Sequence, residues 1–363
     1  MTKKILFIMH LDWKYVKQRP HFIAEELSDF YDVNVVYFYS KRYLFGNYGN
    51  KTPNDKKISI TPAFRLPFYE NDFIYKINTL YMRFYFKFLI RKYKPDFIWI
   101  TFPMMYDFIS QKNDCKLIYD CMDNISLENF DEKFLNRLLN SEVELLGKAE
   151  LIFSPTKTLS VKLNERLKCQ SKLFVINNAF DGKIITDLYK KKKKDIYKIG
   201  YVGTISSWFD FELLESSLTK FDNIEYHIIG PVNKISLNSS KRIKFYGAIE
   251  HGELYNYVKN FDAMIMPYKL NDIINVADPV KFYDYINFNK PIISIFFEEI
   301  KRYDHFVTFY SNKKQFFEVL EELIDKEFNK KYSDEDRIQF LKNNSWNDRV
   351  KEIIELMESL NNK

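Results

Sequence analysis

The stretch ADPVKFYDYINFNKPIIS (277–294) places a cation and an anion, Lys281 and Asp284, three residues apart. Asp278 suits a helix N-cap and Pro279 the first helical turn, so the segment reads as a helix start. Asn-Lys-Pro followed by an apolar run ends that helix and opens a buried strand. A helix start favours an anion. Lys281 would add a point charge to a diphosphate, and Asp284, next on the same face, would accept hydrogen bonds from two ribose hydroxyls. The competing reading is an i,i+3 surface ion pair, worth a few tenths of a kcal/mol. A second pair of acids, Asp120 and Asp123 in YDCMDN (119–124), closes an apolar run. A desolvated carboxylate there could take a proton from an attacking hydroxyl. Alternatively, Asp123 would cap a helix after NISLENF (124–130).

Glycine is the third signal. The chain has only 9 glycines in 363 residues, so each is a candidate for a backbone requirement. Gly203, Gly230 and Gly247 each end a strand-like run. In IGYVGTISSWFDFELL (199–214) the order is strand, glycine, short polar loop, helix, which lets a backbone approach a phosphate or sugar. The competing reading is a plain strand-to-helix turn. GxGxxG and GxxxxGK[ST] are both absent, which weakens dinucleotide and Walker-type readings.

These residues need strands that end together. Short apolar runs at 5–9, 33–39, 96–102, 116–120, 151–155 and 173–177 read as strands in the first half, and 197–203, 225–230, 243–247, 263–267 and 291–296 in the second. Periodic helical segments separate most of them. This alternation predicts α/β domains with parallel sheets, and 363 residues predict two of them. Two doubly wound domains facing each other would bring their strand C-termini to a shared cleft. The lysine run 190–194 reads as the linker rather than as a nucleic-acid tail, since no aromatic or Gly-rich binding pattern accompanies it. The expected division is 1–189, linker 190–195, 196–344, and an amphipathic closing helix in 345–363 that packs back on the first domain.

Composition narrows the class. Hydrophobic residues make up 46% of the chain, enough for a core in each domain. The formal charge of +6 lies entirely in 1–189, where 28 Lys/Arg face 22 Asp/Glu. Cys115, Cys121 and Cys169 form no CxxC pair, and with five scattered histidines they predict a reducing compartment and no metal cluster. The apolar run of MTKKILFIMH is too short for a signal peptide and fits a buried first strand. No stretch approaches the ~20 apolar residues of a membrane span.

The ordered motifs resemble those of GT-B glycosyltransferases, closest to the family-4-like enzymes that build bacterial capsules, teichuronic acids and other surface polysaccharides. ADPVKFYDYINFNKPIIS is similar to their PxKxxEYxxxxKPVV, and IGYVGTISSWFDFELL to IGYxGxxxxWxDxxLL. KFYGAIEHGELYNYVKNFDAMIMPY (244–268) is similar to xxGxxxxxELxxxxxxxDxxxxPY. WKYVKQRPHFIAEELS (13–28) is similar to WxxxxQRPxxLAxxLA, KLIYDCMDNIS (116–126) to xxVYDxxDD, and FVINNAFD (174–181) to xxNGVD. In chain order these quoted motifs run from residue 13 to residue 294. The resemblance implies an α/β GT-B fold of two facing Rossmann-like domains, with a nucleotide-sugar donor on the second and an acceptor on the first. It implies that Pro279 and Lys281 meet the donor phosphates and Asp284 the ribose. Gly203, with Thr204, Trp208 and Gly230, would approach the diphosphate or sugar, and Gly247, Ala248 and Ile249 would hold the base. Trp13, Arg19 and His21 fall where acceptor contacts are expected. In related inverting enzymes an aspartate near Asp123 is the base, which makes Asp123 the first candidate and Asp120 the second. Three positions depart from the pattern: Asp284 and Val276 stand where Glu is usual, and Ala179 where Gly is usual. No metal-binding DxD occurs, so neither metal nor other cofactor is expected if Lys281 neutralises the leaving diphosphate.

FIYKINTLYMRFYFKFLIRKYK (73–94) has six basic residues and no acid. At about 100° per residue, Lys76, Arg83, Lys87, Arg91 and Lys94 fall on one stripe, which on an aromatic-rich helix suits an anionic bilayer surface. The competing reading is a solvated face over a core helix. The expectation is a cytoplasmic, peripherally membrane-associated glycosyltransferase, with an NDP-sugar donor, a lipid-linked glycan acceptor, and no nucleic-acid partner. A non-catalytic GT-B-like binding module and a nucleotide-sugar epimerase are the alternatives.

Overall fold

The computed structural model describes residues 2–14, 17–39, 58–109, 115–167, 172–186, 193–233 and 240–360. Cys169 and Lys190 to Lys192 of the lysine run lie outside them. The chain divides into two units, one of 1–178 with 346–363 and one of 179–345.

The first unit alternates strands and helices: β1 (Lys4–Met9), α1 (Arg19–Leu27), β2 (Asp32–Tyr39), β3 (Ile58–Phe64), α2 (Asp72–Tyr93), β4 (Phe97–Ile100), β5 (Lys116–Asp120), α3 (Glu132–Lys148), β6 (Leu151–Ser154), α4 (Lys157–Leu167) and β7 (Leu173–Val175). The strands form one parallel sheet in the order β3-β2-β1-β4-β5-β6-β7. Central strands such as FIWI (97–100) are buried along their whole length, as strands covered on both faces must be. Two 3₁₀ turns, Pro103–Phe108 and Ile125–Leu127, follow β4 and β5.

The second unit continues with β8 (Tyr197–Val202), α5 (Phe211–Lys220), β9 (Ile224–Ile229), β10 (Ile243–Phe245), α6 (Leu254–Val258), β11 (Ala263–Met266), α7 (Asp272–Asn275), α8 (Lys281–Asn287), β12 (Ile292–Ile295), β13 (Val307–Tyr310), α9 (Lys313–Asp325) and α10 (Asp334–Lys342). Its parallel sheet runs β10-β9-β8-β11-β12-β13. The closing helix α11 (Trp346–Ser359) belongs to the first unit, where it packs on α1. Trp346 stacks on Phe22, and Asn347 donates to Glu26.

Two strands, β3 and β13, were not among the expected runs, and both are sheet edges. Pro62 sits in β3, where an edge strand tolerates a missing N–H. The units meet at 178/179, eleven residues before the expected boundary. The charge run misplaced it because residues 179–186 are held by the second unit's side chains. Phe180 enters that unit's core. Asn287 bonds the Ile185 amide and the Lys183 carbonyl, and Arg337 bonds the Ile185 carbonyl.

Candidate functional site

In the second unit the chemistry gathers where β8, β9 and β10 end. Gly203 and Gly230 have φ of +147° and +144°, which favour glycine. They are also packed together: a Cβ on Gly230 would lie 1.9 Å from the Gly203 carbonyl oxygen. The Gly203 amide donates to the Ile229 carbonyl at 2.8 Å, and the Gly230 amide to the Gly247 carbonyl at 2.7 Å. Space is open at Gly247, where an added Cβ would meet nothing within 4 Å. Ala248 beside it is exposed and Ile249 half-buried.

Lys281 runs across Gly203 so closely that a Cβ there would fall 2.1 Å from Nζ. The ammonium donates to the Tyr201 and Tyr268 hydroxyls, each at 3.0 Å, and lies over both rings. Tyr201 in turn donates to the Thr204 carbonyl at 2.8 Å. Among the described residues no carboxylate pairs with Lys281. Its charge is held by two phenol hydroxyls, which leaves it available to an anion.

The helix start differs from expectation. α8 begins at Lys281, with Val280 as its cap and no side-chain capping bond. Asp278 pairs with Arg302 instead, and Pro279 lies before the helix. With seven residues, α8 has little dipole to offer, so the cation rather than the helix end is the anion-attracting feature. Asp284 is half-buried on the Lys281 face, and Trp208 packs against the core.

The first unit carries the acids. Asp120 ends β5 fully buried and binds Arg19, whose Nε reaches both carboxylate oxygens at 2.9 and 3.2 Å. Nη1 of Arg19 also donates to the Ile176 carbonyl at 2.7 Å. This pair ties α1, β5 and the segment after β7 together. It removes Asp120 from the candidates for a free base and Arg19 from those for an exposed acceptor contact. Trp13 and His21 are buried as well, ring against ring at 5.2 Å. His21 Nδ1 accepts from the Gln18 amide. Burial lowers its pKa, so it stays neutral near pH 7. The three residues build the loop entering α1 and its first turn.

Asp123 behaves differently. It lines a cavity of about 220 Å³ together with His10, Arg65, Tyr69, Thr101, Tyr119 and Glu128. Its side chain is solvent-accessible at the cavity, yet protein surrounds it. The resulting desolvation, followed by repulsion from Glu128, pushes its pKa up to about 6, against a smaller opposing pull from Arg19. It caps neither the next turn, where Asn124 accepts from the Ser126 amide, nor α3, where Asp131 accepts from the Lys133 and Phe134 amides. The turn is braced from below. Glu142, fully buried, binds Arg166 and accepts from the Tyr119 hydroxyl at 2.9 Å, while Arg166 also donates to Asn124 at 2.9 Å. The Cys121 thiol donates to the Asp123 carbonyl at 3.3 Å.

His10, after β1, shares a 3.0 Å hydrogen bond with Thr101 through Nδ1. Burial, then the nearby Arg65 charge, lowers its pKa to about 4, so it is neutral near pH 7. No signal of type or spacing singled out His10, Arg65 or Glu128, because strands distant in sequence bring them together. Tyr201 and Tyr268 did lie inside the quoted motifs. Their service to Lys281 depends on packing across β8 and β11. Among the described residues no three His, Cys, Asp or Glu side chains are grouped to hold a metal ion.

No family model matches the chain. It is 20% identical over 215 residues to a Bacillus subtilis (strain 168) protein described as "Putative teichuronic acid biosynthesis glycosyltransferase TuaH", and the match covers 54% of each chain. Thus the likeness spans about half the length of that relative. Among solved structures, the lipopolysaccharide outer core galactosyltransferase WaaB in its apo form superposes with a TM-score of 0.68 at 13% identity, over 98% of this chain and 99% of that one. Anabaena HepE in complex with UDP and glucose gives 0.67 at 14%, over 98% and 100%. The sucrose-phosphate synthase of Thermosynechococcus elongatus gives 0.71 at 12%, over 99% of both. At these identities the likeness carries the fold: the chain has a GT-B fold with two Rossmann-like, parallel-sheet domains, and it resembles surface-polysaccharide glycosyltransferases.

Proposed function

We propose that the protein is a glycosyltransferase that moves a sugar from a nucleoside-diphosphate sugar to a growing, lipid-linked cell-surface polysaccharide. The observation that carries this reading is Lys281, a cation held over Gly203 by two tyrosine hydroxyls and lacking a carboxylate partner among the described residues. Such a charge suits a diphosphate, which the glycine lets come close. Asp284 on the same face would take the ribose hydroxyls, and the open turn at Gly247 to Ile249 would take the base. UDP is the first nucleotide to test, since HepE was solved with UDP.

In the first unit Asp123 is the proposed base of an inverting transfer. It would accept the acceptor hydroxyl's proton as that oxygen attacks the anomeric carbon and the bond to the diphosphate breaks. The departing diphosphate would carry the charge that Lys281 meets. The acceptor would occupy the cavity beside Asp123. Its assignment to a surface glycan is supported by the names of TuaH and WaaB.

Membrane contact is proposed through α2. Lys76, Arg83, Lys87, Arg91 and Lys94 are all exposed. Phe73, Ile77, Leu80, Tyr81, Phe84 and Phe88 are exposed beside them, on an arc of about 100° opposite the buried Tyr75, Met82 and Phe86. An apolar face edged by cations fits the surface of an anionic bilayer. No helix among the described residues is long and apolar enough to cross a membrane.

Calorimetry of UDP binding tests the donor site. Lys281→Ala should weaken binding by ~1.5–3 kcal/mol, as for a lost charged hydrogen bond. An unchanged affinity in a folded variant removes the assignment.

A further inference from the structure

We propose that the first unit's cavity takes an acceptor bearing an anionic group, a carboxylate or a phosphate, and that Arg65 binds that group. This rests on the reading of the cavity as the acceptor site.

Arg65 follows β3 directly and lines the cavity with His10 and Asp123. Its guanidinium lies 3.7 Å from the centre of the Tyr69 ring and 5.6 Å from that of Phe38. Nη1 also makes a weak hydrogen bond to the Met104 sulfur at 3.9 Å. No carboxylate pairs with it among the described residues. Three other arginines of the same unit contrast with it: Arg19 pairs with Asp120, Arg137 with Asp72 and Arg166 with Glu142. Arg65 alone of these four has no carboxylate partner among the described residues; its half-buried guanidinium lies on two aromatic rings.

A desolvated guanidinium without a counter-ion is costly, and an arriving anion relieves that cost. Its planar fork matches a carboxylate or phosphate bidentately. The two aromatic rings hold the fork in place, so little freedom is lost on binding. His10 adds no repulsion or competing charge, since it is neutral near pH 7. The carboxylates lining the same cavity are Asp123 and Glu128. The Arg65 charge acts on His10, whereas the Asp123 carboxyl responds to Glu128 and Arg19. The cavity therefore carries a cation, Arg65, and carboxylates, Asp123 and Glu128. An acidic sugar or sugar phosphate would be oriented by its anion at the cation and offer a hydroxyl to the carboxylates.

The test uses the full chain and ligand-observed NMR titrations with methyl glucuronide, glucose 1-phosphate and methyl glucoside. At least one anionic probe should bind roughly tenfold more tightly than the glucoside, and which one does so separates carboxylate from phosphate. Arg65→Gln should bring the probes level, while Arg65→Lys, which keeps the charge without the fork, should keep only part of the preference. Equal binding of all three probes to the wild type overturns the proposal, as does a preference undiminished in Arg65→Gln. If that variant fails to fold, an undiminished preference in Arg65→Lys overturns it. UDP binding is measured alongside. Its absence from the wild type would strike the donor assignment and leave the anion preference to be judged by itself.

Discussion

Asp120 and Asp123 stand three residues apart at one strand end, and their surroundings give them opposite chemistry. Asp120 is locked by Arg19 in a buried pair, while Asp123 lines a cavity with its pKa raised to about 6. A base must be deprotonated, so kcat/KM for sugar transfer should fall below about pH 6 and level off above it. Asp123→Asn should lose about 10²–10⁴-fold in turnover yet keep its UDP affinity. Rates of UDP release across pH would check both, and near-normal turnover in the variant moves the role elsewhere. Stability adds a second check. The folded pKa lies above the ordinary value of 3.8, so between these two pH values the native state binds more protons than the unfolded one. Stability from this group therefore falls as pH rises through that window. Asp123→Asn, which cannot ionise, should melt at pH 8 no lower than wild type. The sequence offered both acids as candidates and could not rank them by environment. What separates them is Arg19, 101 residues upstream of Asp120, and Glu128 on the following turn.

At the scale of elements, α2 is the helix whose packing leaves most unexplained. Its buried residues, Tyr75, Asn78, Met82 and Phe86, recur at helical spacing and seat it on the first unit. Asn71 caps its start, accepting from the Phe73 and Ile74 amides. Arg83 is tied to the Asp107 carbonyl at 2.8 Å, so Lys76, Lys87 and Arg91 are the better test of the basic stripe. Replacing these three with Glu should release the protein from anionic liposomes in flotation, at about 1 kcal/mol per charge near the surface. Phe84→Ser with Phe88→Ser should weaken the same association at high salt, where the charge attraction is screened. Liposomes that never retain the wild type at moderate salt would leave α2 an ordinary solvated helix. The helix and its charges were legible from composition and period. The outward turn of Phe73, Phe84 and Phe88 was not, because an aromatic-rich helix gives several candidate buried faces until its neighbours are known.

At the scale of the whole molecule, the first unit is closed by a helix from the far end of the chain. Trp346, Val350, Ile353 and Met357 of α11 are buried, and Lys116 donates to the Leu360 carbonyl. Burying side chains of this kind contributes ~1.5–3 kcal/mol each, against a total stability of about 5–15 kcal/mol for a domain. A chain ending at Ser345 should therefore lose the first unit's cooperative melting. UDP binding at the proposed donor site, whose residues all lie within 179–345, should persist in calorimetry; its loss would show that the donor site needs more than that unit. The α/β alternation and the amphipathic closing helix were readable in the sequence. The point where the chain passes between units was not, since Phe180, Asn287 and Arg337 fix it through contacts distant along the chain.

The interlocked turns at Gly203 and Gly230 bear on how such a sequence can drift. A genome that presses codons toward Lys, Asn, Ile and Phe erodes glycine wherever another residue fits. Gly147 and Gly252 have open space where a side chain would go, so mutation can replace them one at a time. Gly230 cannot be replaced so, because a methyl group there strikes the Gly203 backbone, and at Gly203 it strikes Lys281. Loss of Gly230 would have to be answered in the Gly203 backbone in the same step. Gly203 and Gly230, held by close contact and by positive φ, are thus the two glycines such a chain can least easily lose.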